Sequence, residues 1–178
     1  MRFVVTDLEF NQPSRSIIQI GAVVLDLQTG EIEPLFDEIV DPDEKIDPFI
    51  DDLTGISDAD CQEAEPLEQV LSRFWHEVCH SHTGKKMAAW GDDVEILVDV
   101  SDDFRENTPK VDAFDFKQYV KLFRFMGGKS SRSGCGLANV VESLDLEFEG
   151  QQHDAYDDAY MTAKVMLAYC NEIKTVLG

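Results

Sequence analysis

Strand-like segments fill the first forty residues of this chain, and only after them does the apolar spacing alternate between helix and strand. Phe3-Val4-Val5 opens the first strand. Ile17 to Asp26, IIQIGAVVLD, is a long β-branched run, and the turn LQTG leads into a third strand, EIEPLFDEIV. An antiparallel meander followed by alternating helix and strand predicts a mixed-sheet α/β domain. DPDEKIDPFIDDLTGIS mixes loop with short helix. Leu67, Val70, Leu71, Phe74, Trp75 and Val78 form a helical stripe between Pro66 and His80. KKMAAWG reads as strand, DDVEILVDV as helix, VDAFDF as a short strand and KQYVKLFRFM as helix. The polar loop GGKSSRSG then leads to a helix, GLANVVESL. The last helix has the clearest pattern, with Ala155, Ala159, Thr162, Met166, Cys170, Ile173 and Leu177 at three-to-four spacing and Asp154 as its N-cap. With no internal repeat and no linker, a single domain over residues 1–178 is expected.

No apolar run is long enough to span a membrane and no leader is recognisable. Cys61, Cys79, Cys135 and Cys170 lie far apart and form no CxxC pair. They read as reduced thiols, so an intracellular, cytoplasmic protein without a membrane partner is expected. The net charge of −21 by itself argues against nucleic-acid binding. Bound metal would neutralise some of the acids. Lys117, Lys121, Arg124, Lys129 and Arg132 also fall within one short stretch. That stretch reads equally as a solvated helix face with its loop or as a local phosphate track.

Five residues scattered along the chain carry the chemistry: Asp7, Glu9, Asp93, His153 and Asp158. On an extended strand Asp7 and Glu9 point to one face, about 7 Å apart, at the strand's C-terminal end. Ligands of α/β sheets bind at that end. Asp158 lies beside the apolar stripe of the last helix, where a carboxylate is costly unless paired or metal-bound. His153 precedes the cap, a position that suits a base moving in and out of a site. Taken singly, each has a plainer reading. A lone DxE is more often an acidic strand end in water, and acids gather at helix N-termini through the dipole. Taken together, four carboxylates and an imidazole can hold two divalent metals and activate a water.

In order and surroundings, TDLEF, IIQIGAVVLD, the "TGI" of FIDDLTGIS, and HDAYDDA resemble the DnaQ-like 3′–5′ exonucleases, the DEDDh branch of the ribonuclease H-like superfamily. The resemblance covers nearly the whole chain. It implies a three-layer α/β fold: a mixed five-stranded sheet, antiparallel meander then parallel strands, flanked by helices. It also implies two Mg²⁺ or Mn²⁺ ions held by Asp7, Glu9, Asp93 and Asp158, with His153 as general base. The implied substrate is single-stranded nucleic acid with a free 3′ end, releasing nucleoside 5′-monophosphates. The middle motif departs from the family, with Trp90-Gly91-Asp92-Asp93 where a polar residue, an aromatic and Asp are common. Asp93 is the favoured ligand and Asp92 its neighbour, in cap position. The Trp-Gly pair is closer to the branch related to exoribonucleases that trim small structured RNAs, while RNA and DNA both remain open. Phe10, Asn11, Leu53 and Thr54 occupy positions that hold the terminal nucleotide in the family. Leu53 reads nearly as well as core filling. The acidic surface leads to an expectation of weak affinity for long duplexes.

Two other readings compete. His76-Glu77-Val78-Cys79-His80 is an HExxH, which on a helix can bind zinc for proteolysis. The helix ends almost at once after it, and the extended HExxHxxGxxH is absent. A non-catalytic binding module on the same fold is the second alternative, and the competent side chains at all five positions argue against it. DPDEKIDP lacks the Gly and terminal Glu of a calcium loop.

Overall fold

The computed structural model describes residues 1–104, 108–130 and 133–177. Its centre is the sheet order β4-β3-β2-β1-β5-β6. β1 (Arg2–Phe10), β2 (Ile17–Asp26) and β3 (Ile32–Asp41) form the antiparallel meander; β5 (Lys86–Ala89) and β6 (Asp112–Asp115) extend it in parallel beyond β1. These are the five strands the sequence leads one to expect. The sixth, β4 (Glu65–Pro66), is a two-residue parallel pairing on the outer edge of β3, too short to leave a periodic signature. Pro34 is tolerated inside β3 because it falls at the irregularity where the β2–β3 register shifts.

The helices form two layers because both faces of the central strands are apolar. Val4 and Leu8 turn to one side, where they pack with α3 (Leu67–His80) and α4 (Asp93–Asp103) through Val70, Leu71, Phe74, Val94 and Leu97. Val5 and Val23 turn to the other, against α5 (Phe116–Met126), α6 (Leu137–Ser143) and α7 (Ala155–Leu177) through Val120, Val140, Met161 and Val165. Val4 and Val5 are both fully buried, which is the signature of a strand covered on two sides. A smaller cluster joins Ile18 to Ile46, Ile50, Ile56 and Cys61 under α1 (Pro48–Thr54) and α2 (Asp58–Glu63). The sequence reading does not include α2. It is six residues long, buries only Cys61, and is held by a Ser57–Asp60 capping box.

One contact fixes where the last helix begins. Gly21 on β2 pairs with Asp7 on β1. A Cβ on Gly21 would lie 2.2 Å from the backbone of Ala155 and Tyr156. The first turn of α7 therefore rests directly on the strand beside Asp7. Gly21→Ala is expected to push that turn off the sheet at a cost of roughly 1–3 kcal/mol, as over-packing does. It would displace Asp158 and His153 as well. A melting temperature equal to that of the unaltered chain would refute the contact. No helix among the described residues is long and apolar enough to cross a membrane.

Candidate active site

Three elements deliver the acids to one end of the sheet. β1 presents Asp7 and Glu9 on the face covered by α7. β5 runs parallel beside β1 and is followed by α4, whose first residue is Asp93. α7 supplies Asp158 in its first turn, with His153 just before the cap. Glu9, His153 and Asp158 each bring one potential ligand atom to within 4.8 Å of the others. No other such group occurs among the described residues. Asp7 and Asp93 stand outside that tight trio but within electrostatic reach of it.

All four carboxylates are half-buried. Burial raises Asp7 well above the ordinary range, and Asp93, Asp158 and Glu9 raise it further. Glu9 is pushed up to about 8, first by burial and then by Asp158, Asp154 and Asp93. Asp93 rises to about 7 through burial and the adjacent Asp92, against the opposing pull of Lys117. Asp158 rises to about 6 through burial, while a hydrogen bond from the His153 backbone N–H holds it down. Several partly desolvated like charges with one nearby cation form an arrangement that demands a positive counter-charge.

The start of α7 is held from several sides. Asp154 caps it, accepting from the N–H groups of Tyr156 and Asp157 at 3.0 Å each. The buried Gln19 side chain donates to Asp154 at 3.0 Å and to Asp37 at 3.1 Å, and accepts from the Ala155 N–H at 2.9 Å. Gln151 donates through Nε2 to the Thr54 carbonyl at 2.9 Å and through its backbone N–H to Asp157 at 2.7 Å. His153 is exposed, with left-handed backbone at φ 65°. Gln19, Gly21 and Gln151 are thus parts of the site that sequence reasoning missed. The first two carry a readable signal: a polar residue and a glycine inside an otherwise β-branched run mark a satisfied buried group and a close backbone approach.

Asp92 stands at the cap position of α4, exposed and without a side-chain cap bond, while Asp93 turns inward. The residues expected to hold a nucleotide divide into two pairs. Phe10 packs, half-buried, against the α3/α4 core, with the Arg15 guanidinium 5.5 Å from its ring centre. Leu53 packs, half-buried, over the Ile18 cluster. The side chains of Asn11 and Thr54 are engaged inside the protein. Asn11 is fully buried, donating to Glu44 and the Lys45 carbonyl and accepting from the Asp47 N–H. Thr54 donates to the Ile50 carbonyl and accepts from the Ile56 N–H. Both brace the wall of the site.

The HExxH segment lies on α3, on the other face of the sheet from Asp7 and Glu9. His76 and His80 are exposed, and Nδ1 of His80 is bonded to the His76 carbonyl at 2.7 Å. No third ligand joins them among the described residues.

A family model described as exonuclease matches residues 4–166. ERI1 exoribonuclease 2 of Xenopus laevis is 29% identical over 178 residues, covering 85% of this chain and 25% of that protein. Its Homo sapiens counterpart is 28% identical over 175 residues, covering 84% and 24%. The 3′-5′ exonuclease DinG of Bacillus subtilis is 41% identical over 78 residues, 42% of this chain and 8% of that one. The chain spans about a quarter of the length of the first two of these relatives. In fold it is similar to the nuclease domain of 3′hExo, described as a DEDDh family member bound to rAMP, with a TM-score of 0.82 at 19% identity. That likeness covers 96% of this chain and 92% of the other. Cell-death related nuclease 4 gives a TM-score of 0.80 at 17% identity, covering 96% and 64%.

Proposed function

Because the chain belongs to the DnaQ-like exonuclease family, we propose that it is a metal-dependent 3′–5′ exonuclease acting on single-stranded RNA ends. The observation that carries this reading is the convergence of Asp7, Glu9, Asp93 and Asp158 with His153 at one end of the sheet. RNA is favoured over DNA by the relatives that align over most of the chain, which are exoribonucleases by name.

The residues fit divalent metal. Their donors are carboxylate oxygens with no thiolate among them, which suits Mg²⁺ or Mn²⁺ better than zinc. Their raised pKa values express an excess of negative charge that a cation would relieve. Asp7, Glu9, Asp93 and Asp158 would hold two such ions. When bound, the ions supply Lewis acidity at the scissile phosphate and acidify the attacking water.

The chain's own groups do the rest. His153 takes the proton of the attacking water at a ring nitrogen. Its exposed backbone lets the ring swing, while the Gln151 and Asp154 hydrogen bonds keep its anchor fixed. Leu53 and Phe10 offer half-buried apolar surface against which any terminal base can pack. The product is a nucleoside 5′-monophosphate and a strand shortened by one residue.

A gel assay on 5′-labelled single-stranded RNA and DNA of equal sequence tests the reading. A ladder of shortening products is expected with Mg²⁺ or Mn²⁺ and none with EDTA, with RNA the faster substrate. His153→Ala is expected to slow the ladder by about 10²- to 10⁴-fold, the usual worth of a positioned general base. Equal rates on both sugars would remove the RNA preference. No cleavage with any metal would favour a binding module on this fold.

A further inference from the structure

From Phe116 to Val141 this strongly acidic chain contains no Asp or Glu, yet it holds five of its fifteen Lys and Arg residues: Lys117, Lys121, Arg124, Lys129 and Arg132. Arg132 lies outside the described residues. The other four stand on α5 and just after it. Lys117, Lys121 and Arg124 are spaced i, i+4 and i+7, so they share one helical face. That face flanks the buried one formed by Phe116 and Val120.

Three other cations among the described residues are held in ion pairs. Arg2 is paired with Glu33, Arg73 with Glu38 and Glu65, and Lys164 with Glu149. Among the described residues Lys117, Lys121, Arg124 and Lys129 form no ion pair, and the Arg124 Nε is buried without a hydrogen-bond partner. Both ends of the segment are fastened next to the carboxylate cluster. At one end Phe116 packs on Trp90, with ring centres 6.1 Å apart. At the other the Cys135 carbonyl accepts from the Trp90 Nε1 at 3.2 Å. Trp90 lies three residues before Asp93, and the Lys117 charge acts on Asp93 itself. The cationic face therefore starts at the active site and leads away from it along α5. On the solvent side of the same helix Phe125 is 68% exposed.

We propose that Lys117, Lys121, Arg124 and Lys129 bind the sugar-phosphate backbone of the substrate strand on the 5′ side of the scissile bond, with Phe125 as a stacking surface for one of its bases. The proposal rests on the exonuclease reading of the carboxylate cluster and deepens it by naming a second binding site for the same strand. Charge complementarity selects the occupant. In a chain of net charge −21, an acid-free cationic face attracts a polyanion, and the groups nearest it are acids that repel one. A stretch of single strand offers phosphates to the cations and a base face to Phe125. The site also resolves the conflict between the overall charge and a nucleic-acid substrate, because the favourable field is local.

The test uses the double variant Lys121→Ala/Lys129→Ala, whose residues lie outside the carboxylate cluster, against a dinucleotide and a 12-nucleotide RNA. For the unaltered protein, affinity for the longer strand falls steeply with salt. Removing two phosphate contacts is expected to flatten the slope of log K against log salt by about 1.4 and to lower kcat/KM on the 12-mer by about tenfold at low salt. The dinucleotide, too short to reach Lys121, should be cleaved within twofold of the normal rate. Phe125→Ala is expected to weaken 12-mer binding by about tenfold with the salt slope unchanged, since stacking releases no counterions. Unchanged cleavage and salt dependence on the 12-mer would overturn the track while leaving the exonuclease intact. So would equal losses on both substrates. Anisotropy of a labelled 12-mer in EDTA separates the two ideas. If nothing is cleaved yet the double variant binds with a flatter salt slope, the track stands and the exonuclease reading falls. If the slopes agree, the track falls as well.

Discussion

Asp7→Asn is expected to lower the rate of 3′-end removal by on the order of 10³-fold and, in metal-free protein at pH 8, to raise the melting temperature. The two effects have one cause. Asp7 sits half-buried where Asp93, Asp158 and Glu9 all raise its pKa. Losing a carboxylate that holds a catalytic cation forfeits several kcal/mol of transition-state stabilisation, and each 1.4 kcal/mol is about tenfold in rate. The same substitution removes one of the crowded like charges from the apo protein while keeping the shape of the side chain. An amide in that place has no ionised form to desolvate. Activity and apo stability thus move in opposite directions, as they would not for an ordinary core residue. Single-turnover cleavage with Mg²⁺ and thermal unfolding in EDTA measure the two. A variant that loses activity and stability together would mean that Asp7 is a structural residue, and one that keeps its activity would remove it from the site.

Metal-free protein is expected to lose thermal stability as pH rises from 5 to 8.5, and Mg²⁺ or Mn²⁺ should restore most of it at the upper end. The direction follows from which state holds the protons. The folded chain keeps protons on Asp158, Asp93 and Glu9 up to about 6, 7 and 8 respectively. The unfolded chain releases them near 4. Folding therefore takes up protons across this window, and stability falls with pH. The contribution is fully present below the unfolded values and is lost as pH passes through the folded ones. Moving Glu9 from 4.5 to about 8 corresponds to on the order of 5 kcal/mol once it must ionise. For a domain of this size, that is roughly 10 °C in melting temperature. A bound divalent cation favours the ionised forms and adds its own binding energy to the folded state. Asp7→Asn should flatten the pH dependence in EDTA, which distinguishes the cluster from the general repulsion of an acidic surface. A melting temperature insensitive to both pH and metal would mean that these four carboxylates do not share one field.

Much of the fold is legible because its signals are local. The β2 span Ile17–Asp26 follows from an unbroken β-branched run, and α3 ends at His80 where the polar SHTG segment begins. α7 begins after Asp154 because that side chain caps it, a contact between residues two and three apart. α2 escapes because six mostly polar residues around one buried cysteine produce no stripe, and β4 because two residues have no period. The resemblance carried by TDLEF and HDAYDDA adds the function class, since it ties residue identity to order along the chain.

What the sequence by itself determines here is the kind of chemistry available and the local elements that carry it: the oxygen ligands, the imidazole, and the strand or helix on which each rides. Only the tertiary structure decides which of those groups meet. Glu9 and Asp158 come together because β2 has no side chain at Gly21, so that α7 can start directly on the sheet. Asn11 and Thr54 turn inward because the loop at residues 44–47 and the end of α1 leave backbone groups that need partners. The Lys117 charge reaches Asp93 because Phe116, at the start of α5, packs on Trp90. Each of these outcomes depends on contacts between residues far apart in the chain. Local propensity acts over a few residues and carries no such information, whereas burial and hydrogen-bond satisfaction are properties of the whole packed domain.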